Sequence, residues 1–189
     1  MRIIAGEYGG RILRSVNDRS VRPATGRVRE SLFNILNNRI HIAGARVLDL
    51  FAGSGSVGIE ALSRGAGRVV FVEREFSVTR IIEENLRTLG ESAVGRAEVI
   101  RGNAFRYIKE SVEKFDLVFV DPPYALENSE QLPEMLIRHG RLSSDGLIVM
   151  EHTKKLSFPA SPLFSIDDRR TFGMTVISFI VPTRTDNPL

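Results

Sequence analysis

Five short apolar runs divide the middle of the chain: RVLDLF at 46–51, VVFVE at 69–73, AEVIR at 97–101, FDLVFV at 115–120 and LIVME at 147–151. Each is apolar at successive positions rather than at alternate ones, the pattern of strands covered on both faces. Between them the apolar positions recur at helical spacing. Val57 to Arg64 predicts a helix stopped by Gly65, and Ser77 is placed to cap another that runs to Leu89 and stops at Gly90. Asn103 is placed to cap a helix through Glu113, and Ser129 one that reaches His139 before Gly140. The C-terminal part differs: FSIDDRRTF (164–172) and MTVISFIV (174–181) meet at Gly173 and predict an antiparallel hairpin. At the other end, RIIA (2–5) and RILR (11–14), separated by Gly6, Gly9 and Gly10, predict a small β-hairpin. Polar residues 15–24 then predict a loop through Arg22-Pro23, and Thr25 an N-cap for a helix to about Arg39, with Val28, Leu32, Ile35 and Leu36 on its apolar stripe.

Four β-then-α units in sequence predict an α/β fold, doubly wound and Rossmann-like. Its sheet should have seven strands, mostly parallel, with an antiparallel C-terminal hairpin and a small N-terminal hairpin-and-helix extension. The organisation expected is a basic N-terminal extension over 1–40, packed on a core over 41–182, and a tail over 183–189. Ligands of such sheets bind at the carboxyl ends of the strands, at the switch point. The motifs below all fall at those ends.

Composition excludes several classes. The 189 residues include no cysteine, so there is no disulfide framework and no thiolate nucleophile. His41, His139 and His152 lack ligand spacing, and no metal is expected. No apolar run approaches the ~20 residues that span a bilayer, and the first residues lack a signal-peptide core, so the expectation is a cytoplasmic protein without membrane contact; a monomer is expected. Net charge is +3, unevenly distributed: residues 1–30 carry seven arginines against three acids, while the other 159 residues sum to −1. A basic end on a near-neutral body fits either a contact with a polyanion or a solvated surface.

The first strand runs into Asp49-Leu50-Phe51-Ala52-Gly53-Ser54-Gly55-Ser56-Val57-Gly58. Residues 53–58 match a dinucleotide fingerprint, and Glu73, 18 residues beyond Gly55, stands where a ribose-binding acid would. A nicotinamide-dependent oxidoreductase therefore competes. Against it, Asp49 sits four residues before Gly53, where a carboxylate suits the ammonium of S-adenosylmethionine and would repel a pyrophosphate. The cofactor-binding set expected is Asp49, Phe51, Ala52, Gly53, Ser54, Gly55, Glu73, Arg74, Asn103, Ala104 and Asp121. Asn103 fits the adenine edge or a helix cap equally well.

The fourth strand ends in Asp121-Pro122-Pro123-Tyr124. The prolines remove two backbone donors and stiffen the loop, leaving carbonyl oxygens as its backbone groups. An acid, a carbonyl and an aromatic ring suit an amino group on a flat base. Asp121 and the Pro122 carbonyl can each accept one of its hydrogens, and Tyr124 can stack on the ring. These four residues are the catalytic candidates. Glu151-His152, ending the fifth strand, fits either the cleft or a surface strand end.

Asp49 to Gly58, Glu73 and Asp121 to Tyr124 resemble the class I methyltransferases. Arg2-Ile3-Ile4-Ala5-Gly6, Gly10-Arg11, Arg22-Pro23, Arg27-Val28-Arg29-Glu30 and Leu32-Phe33-Asn34 resemble the N-terminal signature of the RsmD-type family, with a departure at Thr25-Gly26. The likeness extends from Met1 to about Val181. It implies methylation of N2 of a guanine in 16S rRNA, presented within a 30S subunit or an assembly intermediate. The reaction motif is shared with adenine-N6 methyltransferases, so by itself it leaves the base open. Arg11, Arg22, Arg27 and Arg29 are the expected phosphate contacts, with Arg22 equally placed to order the cofactor pocket.

Overall fold

The computed structural model describes residues 1–16 and 26–183. Thr25 and Arg22 lie outside the described residues. The elements run α1 (Gly26–Leu36), β1 (Arg46–Leu50), α2 (Ser56–Ser63), β2 (Arg68–Glu73), α3 (Phe76–Leu89), α4 (Glu91–Gly95), β3 (Ala97–Arg101), α5 (Ala104–Glu110), β4 (Phe115–Val120), α6 (Leu132–Arg138), β5 (Leu142–Thr153), β6 (Phe164–Phe172) and β7 (Thr175–Pro182). One seven-stranded sheet has the order β3-β2-β1-β4-β5-β7-β6. Strands β1 to β5 pair in parallel, and β7 pairs antiparallel with both β5 and β6. The order reverses between β1 and β4, so the crevice of this doubly wound sheet opens beyond their carboxyl ends.

Alternation along the strands sorts the two faces. Val47 of β1, Phe71 of β2, Phe119 of β4 and Val149 of β5 share one core with Phe33 and Leu36 of α1, Ile59 and Leu62 of α2, and Ile82 and Leu86 of α3. Leu48, Val70, Val118 and Ile148 join a second core with Ile108 of α5 and Leu132 and Leu136 of α6. Asp49, Glu73, Asp121 and Glu151 all continue the parity of the first face, so the acids at four strand tips point to the same side of the sheet.

The N-terminal hairpin is narrower than its sequence suggests. Its one antiparallel bridge, Arg2 to Ile12, is flanked by main-chain hydrogen bonds between Met1 and Leu13 and from Ile3 to Arg11. The end of α2 fastens this hairpin to the core. The carboxylate of Glu60, 1% exposed, accepts the N–H groups of Ile4 (2.8 Å) and Ala5 (3.1 Å), and Ser63 Oγ accepts the N–H of Tyr8 at 2.9 Å. Ile3, Tyr8 and Leu13 bury against the first core.

Several boundaries move for local reasons. α3 begins at Phe76 rather than after a Ser77 cap, because Glu73 gathers the N–H groups of Arg74 (2.7 Å) and Glu75 (2.9 Å) and starts the turn two residues early. Gly90 (φ +103) ends α3 as expected, but the short helix α4 follows it. α5 ends at Glu110, short of Glu113. Ser129 starts a 3₁₀ turn through Gln131, and α6 follows at Leu132 with Pro133 in its first turn, where a missing N–H costs no intrahelical bond.

Candidate active site

A cleft of about 930 Å³ opens over the tips of β1, β2, β4 and β5, between them and α1. That is the range of a cofactor-sized site. Its floor on the β1 side is the turn after Leu50. Phe51 has φ +72, a left-handed conformation that costs a non-glycine residue on the order of 1 kcal/mol. The N–H groups of Phe51 and Ala52 both reach Val72 O, at 3.1 and 3.0 Å, which fixes the bend. Gly55 (φ +76) then starts α2. Gly58 lets that helix approach the sheet: a Cβ there would lie 2.3 Å from the Phe71 ring and 3.0 Å from Asp49 Oδ2.

Asp49 is 4% exposed, and its Oδ2 accepts the N–H of Gly58 at 3.0 Å. Burial raises its carboxyl to about 7; the Gly58 hydrogen bond opposes this, and Glu73 adds to the rise. Glu73 itself accepts three backbone N–H groups, from Gly53 at 3.0 Å, Arg74 and Glu75. Asn103 takes its cap role, its side chain accepting the N–H of Arg106 at 3.1 Å, and it lines the cleft as well. Phe51, Ala52, Gly53 and Ser54 line the same space, as do Arg74 and Ala104. Gly55 lies behind it, packed on Ile59 and Ile82.

On the far side of the switch point, Asp121 to Tyr124 form the facing wall. Asp121 is exposed within the cleft, in a recess that partly desolvates its carboxyl. That desolvation, with Glu151 and then Asp49 nearby, raises its carboxyl to about 8. The Pro123 carbonyl accepts the N–H of Leu126 at 2.8 Å, closing the turn. Tyr124 is 66% exposed at the mouth, its hydroxyl 3.1 Å from Thr175 Oγ1. The tips of the first and fourth strands thus share one cleft, and two acids on their first-core face border it.

The strand-end pair Glu151-His152 splits by alternation. Glu151 lines the cleft. His152 turns to the other face, bonded to Ser178 Oγ at 2.8 Å and edge-on to Phe158. Thr175 and Ile177, from the C-terminal hairpin, complete the neighbourhood of Glu151; nothing in their local sequence marked them, because only the β5–β7 pairing brings them there.

The expected phosphate contacts divide. Arg27 is exposed on α1. Arg11 is exposed too, but its guanidinium reaches Thr88 O (3.3 Å) and Leu89 O (3.2 Å), the unpaired carbonyls at the end of α3. Arg29 is a correction: it is 3% exposed, bonded to Arg2 O, with Nε 3.9 Å from Glu60. It borders the inner wall of the cleft instead of an outer face, and its position ties α1 to the hairpin and α2.

The family model described as Conserved hypothetical protein 95 matches residues 1–181. The chain belongs to this family, that of RsmD. A Bacillus subtilis relative named putative rRNA methyltransferase YlbH is 37% identical over 182 residues, covering 94% of this chain and 97% of that protein. Ribosomal RNA small subunit methyltransferase D of Haemophilus influenzae is 41% identical over 156 residues, covering 82% and 79%. Among solved structures, a putative methyltransferase, yhhF, of Escherichia coli superposes with a TM-score of 0.83 at 34% identity, over 95% of this chain and 96% of that one. Membership of this family identifies a Rossmann-like methyltransferase and sets aside the nicotinamide reading of Gly53 to Gly58. Among the described residues no helix is long and apolar enough to cross a membrane.

Proposed function

We propose that the chain transfers a methyl group from S-adenosylmethionine to the exocyclic N2 amine of a guanine in 16S rRNA, presented within a 30S particle or an assembly intermediate. The observation that carries this is the pair of strand-tip acids, Asp49 and Asp121, bordering one cleft from the same face of the sheet, where burial raises both carboxyls. Carboxyls so placed gain from a cationic ligand, which would return them to their charged forms. That donor chemistry fits S-adenosylmethionine, which when bound supplies a methyl group on a positively charged sulfur. Asp49 would meet the ammonium, Glu73 the ribose hydroxyls, and Phe51 to Gly53 with Asn103 and Ala104 the remaining surface.

Asp121 and the Pro122 carbonyl would each accept one hydrogen of the target amine, orienting its lone pair. The Pro123 carbonyl is already engaged, which leaves that of Pro122 for the substrate. As the amine gains charge, Asp121 offsets it electrostatically. No strong base is required, because a methylated aryl-ammonium is itself acidic. Tyr124, exposed at the mouth, would stack on a base drawn out of its helix. Arg11 and Arg27 would meet phosphate, making RNA affinity fall with salt. The relatives named for small-subunit rRNA support the substrate. The protein would act as a cytoplasmic monomer.

The test is to incubate the protein with labelled S-adenosylmethionine and under-methylated 30S particles, then identify the product nucleoside by mass spectrometry. N2-methylguanosine at one position is expected. N6-methyladenosine would replace this reading with the adenine-directed one that the shared reaction motif allows.

A further inference from the structure

We propose that Glu151 reads ring atom N1 of the target purine, so that the cleft accepts guanine and refuses adenine. This rests on the guanine-N2 reading above and names the residue that enforces it.

The placement follows from the sheet. Val120 of β4 pairs with Met150 of β5, so Asp121 and Glu151 stand side by side, one residue beyond that pair and on the same face. Both border the cleft, and the charge of Glu151 is among the influences that raise Asp121. Two partly desolvated carboxylates held together repel, and each disfavours the charged form of the other. Holding an amine requires only Asp121 and a carbonyl, so a second acid here is an added cost unless a second donor arrives with the substrate.

The environment of Glu151 sets it up as an acceptor. Burial pushes its carboxyl above the usual range, and the hydroxyls of Tyr124 and Thr175 partly counter this by favouring the charged form. Those hydroxyls come from the wall of the cleft and from the paired hairpin strand. They favour the carboxylate, which lines the cleft beside Asp121.

Purine chemistry supplies the donor. In guanine and in adenine alike, the exocyclic amine adjoins ring N1. In guanine N1 carries a hydrogen, and in adenine it carries a bare lone pair. With the amine on Asp121, the neighbouring carboxylate meets N1. It accepts the N1–H of guanine, whereas the adenine lone pair would leave a desolvated charge unpaired. Sites built to hydrogen-bond one group reject an analogue lacking it far more strongly than apolar pockets do.

The experiment compares two reconstituted 30S particles that carry guanine or 2-aminopurine at the mapped target. 2-Aminopurine keeps the N2 amine but has an unprotonated N1. The wild-type chain should favour guanine by on the order of 100-fold in kcat/KM. Glu151→Gln has a carbonyl for N1–H and an amide for a bare N1, so its preference should shrink to within about fivefold. An unchanged preference in Glu151→Gln would overturn the proposal while leaving guanine-N2 methylation intact. Adenine methylation by the wild type would instead remove the underlying reading. Should Glu151→Gln turn over neither particle, Glu151→Asp decides. A retained guanine preference with the shorter carboxylate supports the role, and equal rates on both particles end it.

Discussion

The two sides of the switch point hold acids of opposite character. On the β1–β2 side the carboxylates are committed to the fold: Glu73 accepts three backbone N–H groups, and Asp49 accepts that of Gly58. On the β4–β5 side Asp121 and Glu151 face the cleft, and the hydroxyls of Tyr124 and Thr175 favour the charged form of Glu151. The first side is preorganised by its own backbone, as suits a ligand that is the same in every turnover. The second is held at its strand tips and completed by a ligand, as suits an incoming base and a reaction that develops charge.

The sharpest way to break this contrast is Asp121→Ala. It should lower methyl transfer by about 10³-fold, measured with labelled cofactor, while calorimetry with S-adenosylhomocysteine shows affinity within a few-fold of wild type. A matching loss of affinity would erase the division between the two sides. Glu73→Ala should do the reverse. Releasing three N–H groups loosens the turn at Gly53 and the start of α3, and cofactor affinity should fall about 30-fold, with turnover at saturating cofactor much less affected.

Gly58→Ala tests how tightly the first side is built. A methyl 2.3 Å from the Phe71 ring must push α2 off the sheet, at a cost of about 1–3 kcal/mol read from chemical denaturation. A variant as stable as wild type would mean that α2 moves freely there. A last test varies pH. Asp49 and Asp121 are raised to about 7 and about 8, so the folded, ligand-free chain holds protons that the unfolded chain has released. Its stability should therefore fall as pH rises from about 4 to about 8. Over the upper part of that window the affinity for S-adenosylmethionine should rise relative to S-adenosylhomocysteine, which lacks the sulfonium charge, by several-fold between pH 6 and 8. A flat ratio would mean that neither acid feels the sulfonium charge.

Much of this site was legible along the chain because its parts are local. Glycines between a strand and a helix announce the β1–α2 turn, and two prolines after FDLVFV announce the facing loop. Alternation also fixes which member of Glu151-His152 enters the cleft once the direction of β5 is known. Arg29 was misread for a physical reason: an arginine in a basic N-terminal stretch looks solvated, and its partner Glu60 lies 31 residues away on another helix. The start of α3 was misread similarly, since Glu73 supplies the anchoring acceptor from outside the helix.

The order of strands and helices, the two glycine- and proline-marked loops and the chemistry they offer follow from the sequence alone, because hydrophobic period and turn residues act over a few neighbours. The tertiary structure alone decided which acids share a space. Burial and mutual proximity, which lift Asp49 and Asp121 and set Glu151 beside the reaction loop, arise from pairing between strands distant in the chain. Such pairing leaves no mark at any single residue.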